Sequence, residues 1–114
     1  MAKILFLDDC KMRHEMVDLF HGETNDITHV WSVEECVDKL SAVKGWDVVS
    51  LDNDLGWNME EGRKVAFWLE QNPQFIPPQV LIHSNNPVAA ESMVAAIPKA
   101  VIATWWNKPA CVNN

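Results

Sequence analysis

The sequence has no tyrosine, only three cysteines, and only nine lysines and arginines among its 114 residues. Each shortage narrows what the chain can be. Cys10, Cys36 and Cys111 are odd in number, far apart and never in a CxxC pair. That argues against a disulfide framework or a zinc cage, and for reduced, buried thiols. Sixteen acids leave a net charge of −7 and an isoelectric point near 4.9. A surface of that sign repels phosphate backbones, so general nucleic-acid binding is disfavoured. An anionic small ligand needs local help from a lysine, a metal ion or a helix amino terminus. No apolar run approaches the roughly 20 residues of a membrane span, so no membrane partner is expected. The run from Lys3 to Leu7 is too short for a signal peptide and leads into two acids, which points to the cytoplasm.

What is present is a chain of 48% hydrophobic residues, too apolar for disorder and long enough to bury a core without staples. One domain over residues 1–114 is expected, with no repeat, linker or low-complexity stretch. Six tryptophans replace the missing tyrosines, and some of those indoles are expected on a partner surface.

Two kinds of segment alternate. Lys3–Leu7 reads as a buried strand. Met12, Met16, Leu19 and Phe20 then form an apolar face at helical spacing. A strand over Ile27–Trp31 precedes the best-defined helix, in which Ser32 and Glu35 make a capping box and Val33, Cys36, Val37 and Leu40 repeat at i, i+3, i+4, i+7. Trp46–Leu51 is a third strand, and a helix over Glu60–Glu70 follows with Gly62, Val65, Ala66 and Leu69 inward. Pro73, Pro77 and Pro78 make a loop, Val80–His83 a fourth strand, and Asn86 caps a helix that opens with Pro87 and carries Ala89, Met93 and Ala96. Ala100–Trp105 is the fifth strand. Five strands alternating with four helices imply an α/β fold with a parallel sheet covered on both faces.

In such a sheet, ligands bind beyond the carboxyl ends of the strands. Those ends carry Asp8-Asp9, Asp52-Asn53-Asp54, His83-Ser84-Asn85-Asn86 and Asn107-Lys108-Pro109. Crowded carboxylates repel, and a hard divalent cation with oxygen ligands resolves that cost. His83 at a strand end is placed to move protons; the competing reading is a buried histidine bonded to backbone. Asp54 reads equally as an acid or metal ligand and as a turn residue before Gly56. Asn85 and Asn86 read as turn and cap residues, with ligand contact open to both. Trp57 and Asn58 stand in the loop after Asp52, over a ligand ring or anchoring the loop. Trp105 and Trp106 are adjacent on a strand and must face opposite ways. His14, His21 and His29 have no metal-ligand spacing and read as ordinary surface residues.

The order acid pair, single aspartate, serine, Lys-Pro resembles the receiver domain of two-component response regulators over nearly the whole chain. The resemblance implies a flavodoxin-like strand order 2-1-3-4-5. It implies Mg²⁺ or Mn²⁺ held by Asp8, Asp9 and Asp52, a phosphoacceptor role for Asp52, a hydrogen bond from Ser84 to the phosphoryl group, neutralisation by Lys108, and a cis Lys108-Pro109 bond.

The strings Leu51-Asp52-Asn53-Asp54-Leu55-Gly56 and His83-Ser84-Asn85-Asn86-Pro87 are similar to a narrower family, the stand-alone cyclic-phosphate-processing receiver-like domains. That resemblance implies a metal-dependent phosphoesterase or binder acting on a cyclic-phosphate or nucleotide-like ligand. Asp52, Asp54, His83 and Lys108 then form the catalytic group, with Ser84, Lys108 and Asn85 on the phosphate. This family commonly has a histidine where the present sequence has Asn53, which keeps a catalytically silent binding module in view. The alternative is a receiver phosphorylated on Asp52. Against it stands the short stretch after Pro109, which leaves no room for the fifth helix that receivers use for output. The missing helix is expected to leave sheet uncovered near Ile4, Phe6, Ile102 and Trp105, a face for a second copy of the chain.

Overall fold

A computed structural model describes residues 1–103. The sequence-based assignments at Trp105, Trp106, Asn107, Lys108 and Pro109 lie outside those residues. The elements, in order, are β1 (Ala2–Leu7), α1 (Lys11–His21), β2 (Asn25–Val30), α2 (Val33–Ala42), β3 (Val48–Leu51), α3 (Arg63–Gln71), a 3₁₀ turn (Pro73–Phe75), β4 (Gln79–Ile82), α4 (Pro87–Ala96) and β5 (Val101–Ile102). All pairings are parallel and the strand order is β2-β1-β3-β4-β5, the order expected. Among the described residues no helix is long and apolar enough to cross a membrane.

Strand periodicity separates two faces. Leu5 and Leu7, Val49 and Leu51, and Val80 and Ile82 point to one side, where they form the apolar core with Cys36 and Leu40 of α2, Val65, Ala66 and Leu69 of α3, and Ala89, Ala90 and Met93 of α4. The caps read from sequence are in place. The Ser32 hydroxyl accepts the Glu35 amide at 3.2 Å, and Asn86 Oδ1 accepts the Ala89 amide at 3.1 Å.

The opposite face differs from expectation. Ile4 and Phe6 are buried, not uncovered. Phe6 stacks on the His83 ring at a centroid distance of 4.8 Å and meets His14 edge-on. Of the residues expected to be bare, Ile102 is 55% exposed. The phase of α1 also differs. Leu19 and Phe20 face solvent, and the buried row is Cys10, Arg13, His14 and Val17. That row has the same i, i+3, i+4, i+7 spacing as an apolar stripe, but polar partners on the sheet select it over the apolar one. Cys36 is a buried free thiol, as the sequence reading expects.

Candidate functional site

The strand register builds the site. Leu7 pairs with Leu51, and Leu51 with Ile82. The ladder runs one residue further: the Asp52 amide bonds the Leu7 carbonyl at 3.1 Å and the His83 amide bonds the Leu51 carbonyl at 3.0 Å. Asp8, Asp52 and His83 therefore stand side by side on three neighbouring strands, at the strand-to-strand spacing of about 4.8 Å. All three are buried, and they offer one ligand atom each within 4.8 Å of one another.

Two neighbours fix Asp8. The His83 Nε2 lies 3.1 Å from Asp8 Oδ2, and the His83 Nδ1 lies 2.7 Å from the Ser50 hydroxyl. A carboxylate only accepts, so the proton on this contact belongs to Nε2, and in the neutral ring Nδ1 accepts from Ser50. His83 is thus a buried histidine with Asp8 and Ser50 among its side-chain partners.

The second neighbour is Arg13. Its Nε donates to Asp8 Oδ2 at 2.9 Å and its Nη2 to Asp8 Oδ1 at 3.0 Å, a two-pronged contact. The same Nη2 lies 3.4 Å from Asp52 Oδ2 and 3.7 Å from Asp9 Oδ1. Sequence reasoning missed Arg13. The available signal was its place in a helical row with Cys10, His14 and Val17, directly after the acid pair. His14 was read as a surface residue and is instead buried; its Nε2 meets the Asp8 carbonyl at 2.8 Å and its Nδ1 meets His29, which is bonded through Nε2 to Asp18 at 2.8 Å.

These contacts set the charges. Burial pushes the Asp8 carboxyl up, but hydrogen bonds from His83 and Arg13 outweigh it and hold the group well below the usual carboxylate range. Burial and the adjacent Asp8 charge raise Asp9. Burial opposes the Arg13 charge, yet the Asp8 hydrogen bond and the charges of Asp8, Asp52 and Asp9 prevail and raise its pKa. Burial lowers His14.

The loop after β3 completes the rim. Asn53 is fully buried, and its Oδ1 accepts the Arg63 amide at 3.1 Å while its carbonyl accepts the Gly62 amide at 2.7 Å. The residue at this position ties the loop to the start of α3. Its Nδ2 donates to the exposed Asp54 at 3.2 Å. Gly56, at φ 109°, lets the chain turn beside Asp9. Trp57 beyond it is 95% exposed. After β4, the Ser84 hydroxyl accepts the Asn86 amide at 3.0 Å, and Ser84 and Asn85 line a shallow cavity of about 220 Å³ with Pro87, Ala90, Glu91 and Ile102.

The structure thus brings together Asp8, Asp9, Asp52 and His83, and adds Arg13. Asp54, Ser84 and Asn85 lie on the flanking loops; Lys108 lies outside the described residues. Two buried carboxylates and an imidazole, with a third carboxylate half open to solvent, suit a divalent cation that prefers oxygen and tolerates nitrogen.

No curated protein sequence matches the chain. Solved structures match in fold. The phosphorylated cyanobacterial phytochrome response regulator RcpA superimposes with a TM-score of 0.77 at 17% identity, covering 93% of this chain and 82% of that one. The chemotaxis protein CheY4 of Vibrio cholerae gives 0.72 at 17% identity, covering 94% and 89%. The response regulator TrrA of Thermotoga maritima, in complex with Mg²⁺ and BeF, gives 0.70 at 19% identity, covering 92% and 89%. Identities this low establish the receiver fold alone. The model of the cyclic-phosphate processing receiver domain, by contrast, matches residues 3–99, and the chain belongs to that family.

Proposed function

We propose that the chain binds and processes a cyclic-phosphate or nucleotide-like phosphate ligand at the Asp8–Asp52–His83 cluster with the help of Mg²⁺ or Mn²⁺. The observation that carries the reading is the convergence of these three buried groups at adjacent strand ends in a member of this family. Asp8 and Asp52, with Asp9 from the open side, are the residues to hold the cation, and His83 stays beside them on Asp8. When bound, it supplies Lewis-acid polarisation of the phosphoryl oxygens.

The chain's own groups do the rest. Ser50 orients the His83 ring, and His83 fixes the Asp8 carboxylate. Ser84 donates its hydroxyl proton to a phosphoryl oxygen while its oxygen continues to accept the Asn86 amide. Lys108 neutralises charge building on the phosphoryl oxygens. Asp54, exposed at the rim, takes the proton of the attacking water, which opens one P–O bond of the ring; the leaving alkoxide takes that proton back from Asp54 to give a phosphomonoester. Asn85 contacts the phosphate from its loop.

A second reading is favoured by one observation, the burial of Asp52 directly at the end of β3. Asp52 then accepts a phosphoryl group as an aspartyl phosphate. One experiment separates the two. The protein with Mn²⁺ is incubated with a panel of 2′,3′-cyclic phosphates and cyclic nucleotides, and in parallel with acetyl phosphate. Ring opening that falls at least about a hundredfold in Asp52→Asn and in Lys108→Ala is the expected outcome. A stable acyl phosphate without ring opening supports the phosphoacceptor. Ligand binding without either product supports a silent binding module.

A further inference from the structure

We infer that the Arg13 guanidinium and a divalent cation are alternative occupants of the acidic cluster, so that a cation enters only as Arg13 leaves. The inference rests on the metal reading above and concerns how that site is regulated. Arg13 Nη2 lies within 3.0 Å of Asp8 Oδ1, 3.4 Å of Asp52 Oδ2 and 3.7 Å of Asp9 Oδ1. These are oxygens of the same three aspartates to which the cation is assigned. A small hard cation such as Mg²⁺ draws its oxygen ligands to about 2.0–2.1 Å. A nitrogen already centred among these oxygens occupies that space.

The arginine is built into its place. Its side chain is 8% exposed, and Nε closes the fork on Asp8 at 2.9 Å. The adjacent residue, His14, pins the same turn of α1 to the Asp8 carbonyl. In charge terms, one guanidinium relieves part of the repulsion among three carboxylates, which is the work a cation would do. Removing that internal charge leaves the carboxylates less compensated and raises their attraction for an external ion. Arg13 therefore lowers cation affinity and couples cation entry to a movement at the start of α1.

The test uses the full chain, stripped of metal, and reads binding, not turnover. Free Mn²⁺ is followed by electron paramagnetic resonance for the wild type, Arg13→Met and Arg13→Lys. The methionine variant is expected to bind Mn²⁺ at least about tenfold more tightly than the wild type, with the lysine variant between them. The sequence has two arginines, Arg13 and Arg63, so their ¹⁵N-labelled Nε–H resonances are assigned by Arg63→Lys alone. On titration of the wild type with Mg²⁺, the Arg13 resonance is expected to shift in step with binding and lose its exchange protection. Should Arg13→Met not fold, this wild-type titration decides. Equal or weaker Mn²⁺ binding by Arg13→Met, or an Arg13 resonance unmoved at saturating Mg²⁺, overturns the inference and leaves the metal reading standing. Failure of both ions to bind wild type and variant alike removes both together.

Discussion

At the scale of single residues, the site is a set of buried polar groups that satisfy one another. Asp8 is the hub: Arg13, His83, the Cys10 amide and, through its carbonyl, His14 all meet it. Uncompensated burial of any one of them would cost more than its contact returns. Burial acts on His14 in this sense. Burial lowers its pKa from the ordinary 6.5, so as pH falls the unfolded chain takes up the proton first. The His14 contribution to stability is therefore complete above about pH 6.5 and is lost as pH drops below it. The urea midpoint of the wild type is expected to fall between pH 7.5 and pH 5.5, and His14→Gln to show a shallower fall. An identical slope in the variant would rule out His14 as the source.

At the scale of elements, the ends of strands and the first turns of helices carry the function, and their positions are set by close backbone approach. Gly62 is the clearest instance. A Cβ there would lie 1.7 Å from the Asp52 carbonyl oxygen and 2.8 Å from its carbon, and backbone cannot yield as a side-chain tip can. Its φ is −58°, so the requirement is space and not conformational freedom. Gly62→Ala is expected to cost about 2–3 kcal/mol and to displace the loop that carries Asp52 and Asn53. The measurements are chemical denaturation and Mn²⁺ affinity, and a stable variant with unchanged affinity would contradict it. The same approach explains why α3 begins at Arg63, not at Glu60. The Gly62 and Arg63 amides are held by the Asn53 carbonyl and side chain, so the chain before them belongs to the loop. Asn53, which in sequence stood out as a missing histidine, is in this chain a tether for α3.

At the scale of the molecule, one face of the sheet is an apolar core under α2, α3 and α4, and the other is the polar and aromatic face under α1 that holds the site. The two faces share the same strands, so core packing sets the spacing of Asp8, Asp52 and His83. Met93 of α4 is fully buried in that core. Met93→Ala is expected to lose about 2–5 kcal/mol through the cavity it leaves. A loss below about 1 kcal/mol in the denaturation midpoint would show that α4 packs more loosely than its burial implies.

The order of elements, the Ser32 and Asn86 caps and the acids at strand ends were legible in the sequence because they depend on neighbours a few residues apart. That the strands run parallel followed from the alternation of strands and helices, and their order from the resemblance to receiver domains. What the tertiary structure alone decided was phase and partnership. Local patterning favours the apolar row Met12, Met16, Leu19, Phe20 over the row Cys10, Arg13, His14, Val17; the second is buried because Asp8 and His29 lie across the fold. The pairing of residue 7 with 51 and 51 with 82 is likewise a long-range register, and it alone sets Asp8, Asp52 and His83 in line. Composition announced a negatively charged protein with acids to neutralise. Only the packing of α1 on the sheet showed that one of its own arginines already does so.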